Sequence, residues 1–180
     1  MSDHDAGKPE NIEWQGKFIT AKTRGRWEYV SRTRGMRAAA IIAIDKGDVI
    51  LVEQYRVPIG KICLEIPAGL IGDDPAFEGE APEAAAMREL EEETGYRAGR
   101  MENLGEFYSS PGLVTESFTL LRAHDLTKVG EGGGTESEDI TVHRVPLRQL
   151  ESFVAQWRKR GHGVDVRVAM LMAAGFIRED

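Results

Sequence analysis

Four glutamates within five residues, three of them on one helical side, are the first feature of this chain that can do chemistry. In the run Arg88-Glu89-Leu90-Glu91-Glu92-Glu93, helical geometry sets Glu89, Glu92 and Glu93 on one side at spacings of three and four. Carboxylates crowded on one face repel one another unless a positive charge lies among them. Their hard oxygens suit Mg²⁺ or Mn²⁺, ions that hold phosphate groups and retain several waters. A solvated acidic helix face is the competing reading, and the run alone does not decide between them. Leu90 and Met87 fall on a different side and can anchor the helix in a core. Pro82 suits a first helical turn and Gly95 a left-handed cap, which bounds the helix at both ends.

The elements that must hold this helix are legible on either side of it. AAAIIAID and DVILVEQYR, separated by Lys46-Gly47, read as a strand hairpin, and CLEIPAG reads as a further short strand. Upstream, KFITAKTRGRWEYVSR reads as two strands turning at Arg24-Gly25, with aromatic and basic residues and little apolar content. A pair so poor in core residues is expected to pack against a neighbour. After the helix, NLGEFYSS, SFTLLRAHDL and DITVHRVPL read as strands. A loop with Gly130 and Gly132-Gly133-Gly134 divides the last two and reads as mobile. LRQLESFVAQWRKR and VDVRVAMLMAAGFI have helical apolar spacing. The expected fold class is α/β or α+β, in a single domain.

Composition removes several function classes. The chain has 180 residues, 41% hydrophobic and 29% charged, the usual mix for a protein with a buried core. A net charge of −7 argues against a nucleic-acid binder that relies on a general positive field. Cys63 is the one cysteine, so no intrachain disulfide and no multi-thiolate zinc site can form, and its apolar neighbours mark it as a buried small side chain. No run is long and apolar enough to span a bilayer, and the acidic start MSDHDAGKPE lacks a signal-peptide pattern. The expectation is a cytoplasmic protein, with no membrane and no nucleic-acid partner and a loose residue 1–10 segment. His4, His124, His143 and His162 have no spacing that suggests a metal site or a triad.

From Glu80 to Tyr96 the sequence reads E-x7-R-E-L-x-E-E-x-G-Y. This resembles the signature of the Nudix hydrolases, G-x5-E-x7-R-E-U-x-E-E-x-G-U, where U is aliphatic or aromatic. The opening glycine is best assigned to Gly69, which leaves ten intervening residues before Glu80 where the signature has five. The resemblance implies an α/β/α sandwich with a mixed central sheet, here preceded by an N-terminal antiparallel strand hairpin over 11–36, with the catalytic domain over 37–180. It implies Glu89 and Glu93 as main metal ligands, Glu92 in support and the carbonyl of Ala68 as a further ligand. Arg88 would hold the glutamates in place by ion pairing. Mg²⁺ is the implied metal, with Mn²⁺ a substitute.

Further residues are similar to the ADP-ribose pyrophosphatase branch: Ser110-Pro111-Gly112, with the proline sixteen residues after Gly95, and the segments WEYVSR, EQYRVPIG and LEIPAGL. That likeness implies Trp27 and Phe18 stacked on adenine, an aromatic face giving contact without base-specific bonds. It gives Glu28 to the adenine amino group, Arg32 and Arg56 to phosphate oxygens, Leu70 to substrate through its backbone, and Glu116 to the terminal ribose. Arg forks suit phosphate geometry. In GGGTESEDITVH the same likeness assigns Glu136 as general base and Glu138 as an added metal contact, with exchanged roles left open. A homodimer with a swapped N-terminal hairpin is implied as well. The expected reaction is hydrolysis of ADP-ribose to AMP and ribose 5-phosphate. The alternatives are a broader nucleoside diphosphate sugar hydrolase, acting on GDP-mannose or ADP-glucose, and a sensor that binds such nucleotides without turnover.

Overall fold

The computed structural model describes residues 4–33, 37–71, 79–135 and 138–173. Its elements, in chain order, begin with strands β1 (Glu10–Gln15), β2 (Ile19–Arg24), β3 (Trp27–Arg32), β4 (Arg37–Asp45), β5 (Asp48–Arg56), β6 (Lys61–Glu65) and β7 (Ala68–Ile71). Helix α1 (Pro82–Thr94) follows, then β8 (Tyr96–Arg97), β9 (Arg100–Tyr108), β10 (Ser117–His124), β11 (Thr127–Lys128) and β12 (Thr141–Pro146). The chain then forms α2 (Leu150–Lys159), β13 (Gly163–Val164) and α3 (Val166–Leu171).

The main sheet runs β13-β6-β5-β4-β10-β9, with β12 also paired to β5 and β7 to β4. It is mixed: β10 lies parallel to β4, and β13 parallel to β6, while the other pairs are antiparallel. Strand β4 shows why its apolar run has no polar alternation. Ala39, Ile41 and Ala43 pack with Ala85, Ala86 and Leu90 of α1. Ala40 and Ile42 point the other way, into a cluster with Val154 and Trp157 of α2 and Val168 and Leu171 of α3. A strand covered on both faces reads as continuously hydrophobic. The result is a helix–sheet–helix sandwich in which α1 is pinned flat against the sheet, and among the described residues no helix is long and apolar enough to cross a membrane. Cys63 is buried, and burial followed by the charge of Glu65 pushes its thiol up to about 11.

The N-terminal region departs from the two-strand expectation. Strands β1-β2-β3 form a separate antiparallel sheet, and the turn between β2 and β3 at Gly25 lies where the sequence put it. The added strand, ENIEWQ, is exposed along its whole length, so it carries no apolar run to announce it. This sheet leaves Ile12, Trp14, Phe18 and Trp27 between 45% and 59% exposed. Within the first ten residues, expected to be loose, Asp5 is buried and pairs with Lys8 at 2.8 Å and Arg26 at 3.1 Å. The sheet meets the sandwich through Val30, which donates to Leu113 O and accepts from Thr115 N, both at 2.9 Å.

The second C-terminal helix is shorter than its sequence pattern. It ends at Leu171, and Asp165 caps its start by accepting from the Arg167 N–H at 2.7 Å. Of the loop enlarged relative to the signature, residues 72–78 lie outside the described residues, as does the proposed base Glu136.

Candidate functional site

Helix α1 enters the site already oriented. Pro82 stands in its first turn, and Gly95 closes it with φ 70°, its N–H returning to Glu91 O. Leu90, Ala85 and Ala86 bury one side against the sheet. An adjoining stretch of the helix surface borders a cleft of about 750 Å³, whose walls include Glu89, Glu92, Glu93 and Arg88. Ala68, Gly69 and Leu70 of β7 form the facing wall, joined by Arg32, Arg56, Glu116 and Glu138. Eleven of the residues singled out from the sequence thus line one cleft.

Approach between β7 and α1 is close. A Cβ on Gly69 would stand 2.1 Å from Glu89 Cδ, so a side chain there would push that carboxylate from its place beside the strand. Glu93 is 4% exposed and accepts a hydrogen bond from the Ala68 N–H at 3.0 Å. Burial raises its carboxyl to about 8; the Ala68 N–H opposes that rise, and the charges of Glu89 and Glu138 add to it. Arg88 spans the other carboxylates, 2.8 Å from Glu89 and 3.7 Å from both Glu92 and Glu80.

The donor set fits a divalent cation. Glu93 is a buried carboxylate with acidic neighbours, and added positive charge there would favour its ionised form. The ligands offered are all hard oxygens, which suit a hard divalent cation better than a softer metal. Among the described residues no three acidic or histidine side chains are already gathered at coordinating distance. The carboxylates are instead engaged by Arg88 and by the Ala68 N–H.

Two arginines reach the same cleft, each steered by a carboxylate. Arg32 donates to Glu116 from Nε at 2.7 Å. Arg56 makes a two-point contact with Glu65, at 2.6 and 2.7 Å, and Glu65 is 3% exposed. Such forks fix the guanidinium plane while leaving other N–H groups for an anion. Arg167, not singled out from the sequence, also lines the cleft. It binds Asp165 at 2.7 and 3.0 Å and lies 3.6 Å from Glu65. Only the return of α3 to β6 brings it there, and no local sequence pattern signals that return.

The aromatic candidates stand elsewhere. Trp27 lines a separate cavity of about 410 Å³ with Tyr29, Val114, Pro111 and Gly112. Phe18 and Glu28 are exposed and line neither cavity. Within one chain, then, the structure gathers the carboxylates and arginines but does not bring the proposed adenine contacts to them.

Residues 34–163 match the model of the NUDIX domain. The chain is 41% identical over 119 residues to the ADP-ribose pyrophosphatase of Bacillus subtilis (strain 168), covering 65% of this chain and 62% of that protein. It is 38% identical over 133 residues to the GDP-mannose pyrophosphatase of Cronobacter sakazakii, covering 68% of this chain and 66% of that protein. In both, the match spans slightly less than two thirds of the relative's length. The solved structure of an ADP compounds hydrolase superposes with a TM-score of 0.70 at 22% identity, covering 91% of this chain and 89% of that one, which speaks for the fold.

Proposed function

The chain belongs to the Nudix family, and from that premise we propose that it hydrolyses the pyrophosphate bond of ADP-ribose, giving AMP and ribose 5-phosphate. The observation that carries this is the single cleft in which Glu89, Glu92 and Glu93 of α1 face Ala68 and Gly69 of β7, with Arg32 and Arg56 beside them. The likeness to the Bacillus subtilis ADP-ribose pyrophosphatase supports the choice of substrate.

In this reading Glu89 and Glu93 hold Mg²⁺, with Glu92 and the Ala68 carbonyl in support. The bound cation supplies neutralisation of diphosphate charge and acidification of an attacking water. Arg32 and Arg56 orient phosphate oxygens with the N–H groups that Glu116 and Glu65 leave open. Arg88 keeps Glu89 and Glu92 from moving apart. Leu70 meets the substrate through its backbone, and Glu116 meets the distal ribose. Glu136 would take the water's proton and Glu138 would be an added metal contact, or the two would exchange these roles.

Trp27, Phe18 and Glu28 serve the adenine from a second copy of the chain. Their separation from the carboxylates and the exposed Ile12, Trp14 and Phe18 of the N-terminal region support a homodimer in which the segment 11–36 is exchanged. Residues 37–180 then form the catalytic unit, and a cytoplasmic setting suits the single buried thiol.

The likeness to the GDP-mannose enzyme favours one second reading, a broader action on nucleoside diphosphate sugars. Phosphate-coupled turnover with Mg²⁺ on ADP-ribose, GDP-mannose and ADP-glucose separates the two. A kcat/KM for ADP-ribose about tenfold or more above the others, worth roughly 1.4 kcal/mol in the barrier, is the expected result. Comparable rates on all three establish the broader enzyme. Binding of ADP-ribose with no turnover on any would make the protein a sensor.

A further inference from the structure

The glycine-rich segment before Glu138 reads from sequence as a mobile loop, yet its backbone is tied at several points to the end of α1. A helix leaves its last carbonyls without internal partners. Here Gly95 N–H takes Glu91 O at 2.8 Å, and the glycine loop supplies the rest. Gly134 N–H donates to Glu92 O at 3.1 Å and Gly133 N–H to Glu93 O at 2.9 Å. Lys128 Nζ donates to Thr94 O at 2.9 Å, and Val129 and Gly130 donate to Gly95 O at 2.8 and 3.2 Å. Lys128 itself lies 4.8 Å over the Tyr96 ring, and Tyr96 pairs with it in the short ladder of β8 and β11.

Sterics demand the glycines. A Cβ on Gly132, whose φ is 74°, would fall 2.4 Å from Thr94 C and 2.6 Å from Glu93 O. A Cβ on Gly95 would fall 2.1 Å from Gly130 O. Both contacts are with backbone, which cannot step aside as a flexible side chain can. The loop's far end is tied as well, since Ile140 N–H donates to Gly133 O at 3.4 Å and the Ile140 side chain is buried. Between these ties stands Thr135, whose N–H and hydroxyl both donate to Glu138 Oε2, at 3.0 and 3.2 Å, while Glu138 N–H donates to Thr135 O at 3.0 Å.

We propose that Lys128–Thr135 is a fixed clasp that sets Glu138 against Glu92 and Glu93, with Lys128 and Thr135 as positioning residues. Two of the carbonyls it grips belong to Glu92 and Glu93, whose carboxylates line the cleft. A shift of the clasp therefore moves Glu138 relative to them, and misplacement by about 1 Å can cost on the order of a hundredfold in rate. This extends the proposed hydrolysis and rests on it only for the kinetic arm of the test.

The first arm needs no substrate: amide exchange of the full-length wild-type protein followed by NMR. Val129, Gly130, Gly133 and Gly134 should be protected like the last turn of α1, and exchange at the rate of an open peptide overturns the clasp. In the second arm, Thr135→Val should lower kcat on ADP-ribose by about tenfold or more, with KM within about twofold and melting temperature unchanged. Thr135→Ser should restore it. Lys128→Met should lower kcat likewise. Wild-type kcat in both Thr135→Val and Lys128→Met, or a rise in KM as large as the fall in kcat, overturns the positioning role. An inactive wild type sinks the proposed function instead, and amide exchange then decides the clasp alone.

Discussion

The two larger sheets of this molecule are held together by different means. In the main sheet, β4 is buried on both faces and α1 lies fixed on one of them, so the carboxylates of the cleft inherit their positions from a packed core. The N-terminal sheet has charge pairs in place of a core. Glu10 joins Lys22 at 2.8 Å, Arg24 at 3.0 Å and the Tyr29 hydroxyl at 2.5 Å, while large apolar residues stay in water. Under the proposed function, the contrast separates two tasks. Metal-assisted hydrolysis needs carboxylates that do not move, whereas stacking on a nucleobase and pairing with a second chain need exposed aromatic surface.

The strongest way to break this division is Glu93→Gln. The account expects kcat/KM for ADP-ribose to fall on the order of a thousandfold, since loss of a metal ligand removes several kcal/mol of charge stabilisation. Chelation should abolish turnover and added Mg²⁺ restore it. Activity near wild type in Glu93→Gln would move the chemistry out of the cleft.

Next is the packing of α1. Leu90→Ala should cost about 2–5 kcal/mol of stability, read by denaturant unfolding. Trp14→Ala, on the exposed sheet, should leave the monomer's stability within about 0.5 kcal/mol while shifting light scattering toward monomer. Equal losses from both substitutions would mean the N-terminal sheet has a core after all.

A smaller effect isolates binding. Trp27→Ala should raise KM for ADP-ribose about tenfold, since stacking is worth about 1–3 kcal/mol per base, with kcat nearly unchanged. A fall in kcat alone would place Trp27 outside nucleotide binding.

The mildest prediction concerns acid. Hydrogen bonds from Lys22 and then Tyr29 bring Glu10 from its ordinary 4.5 down to about 2. A carboxyl lowered by folding stabilises the folded sheet fully above its ordinary value. That contribution fades as pH falls through 4.5 toward 2. Fluorescence of Trp14 and Trp27, recorded in a Trp157→Phe background, should change over that window, and Glu10→Gln should flatten the change. An identical acid response in Glu10→Gln would show that Glu10 does not hold the sheet.

How far the sequence shows this arrangement depends on whether a residue's role is local. Helix α1 was legible because Pro82, Gly95 and the glutamate spacing all act within one helix, and β4 and β5 because both faces of each are apolar. Strand β1 was not, since an exposed strand of Glu, Asn, Ile, Glu, Trp and Gln has neither apolar run nor turn marker beyond Gly16. The glycine loop shows a different limit: glycine permits freedom and close approach equally, and only the neighbouring helix end reveals that approach is its use here. Arg167 depends on α3 returning to the cleft from about a hundred residues beyond β6, a contact with no local pattern. Its tie to Glu65, which also grips Arg56, is a tertiary fact.

The most direct test of the cleft as the seat of hydrolysis is ³¹P NMR of ADP-ribose with Mg²⁺, run side by side on wild type and Glu93→Gln. The account predicts equal growth of AMP and ribose 5-phosphate signals with the wild type and a nearly unchanged diphosphate with the variant. An intact diphosphate with the wild type, or the same products at the same rate from both, would contradict it.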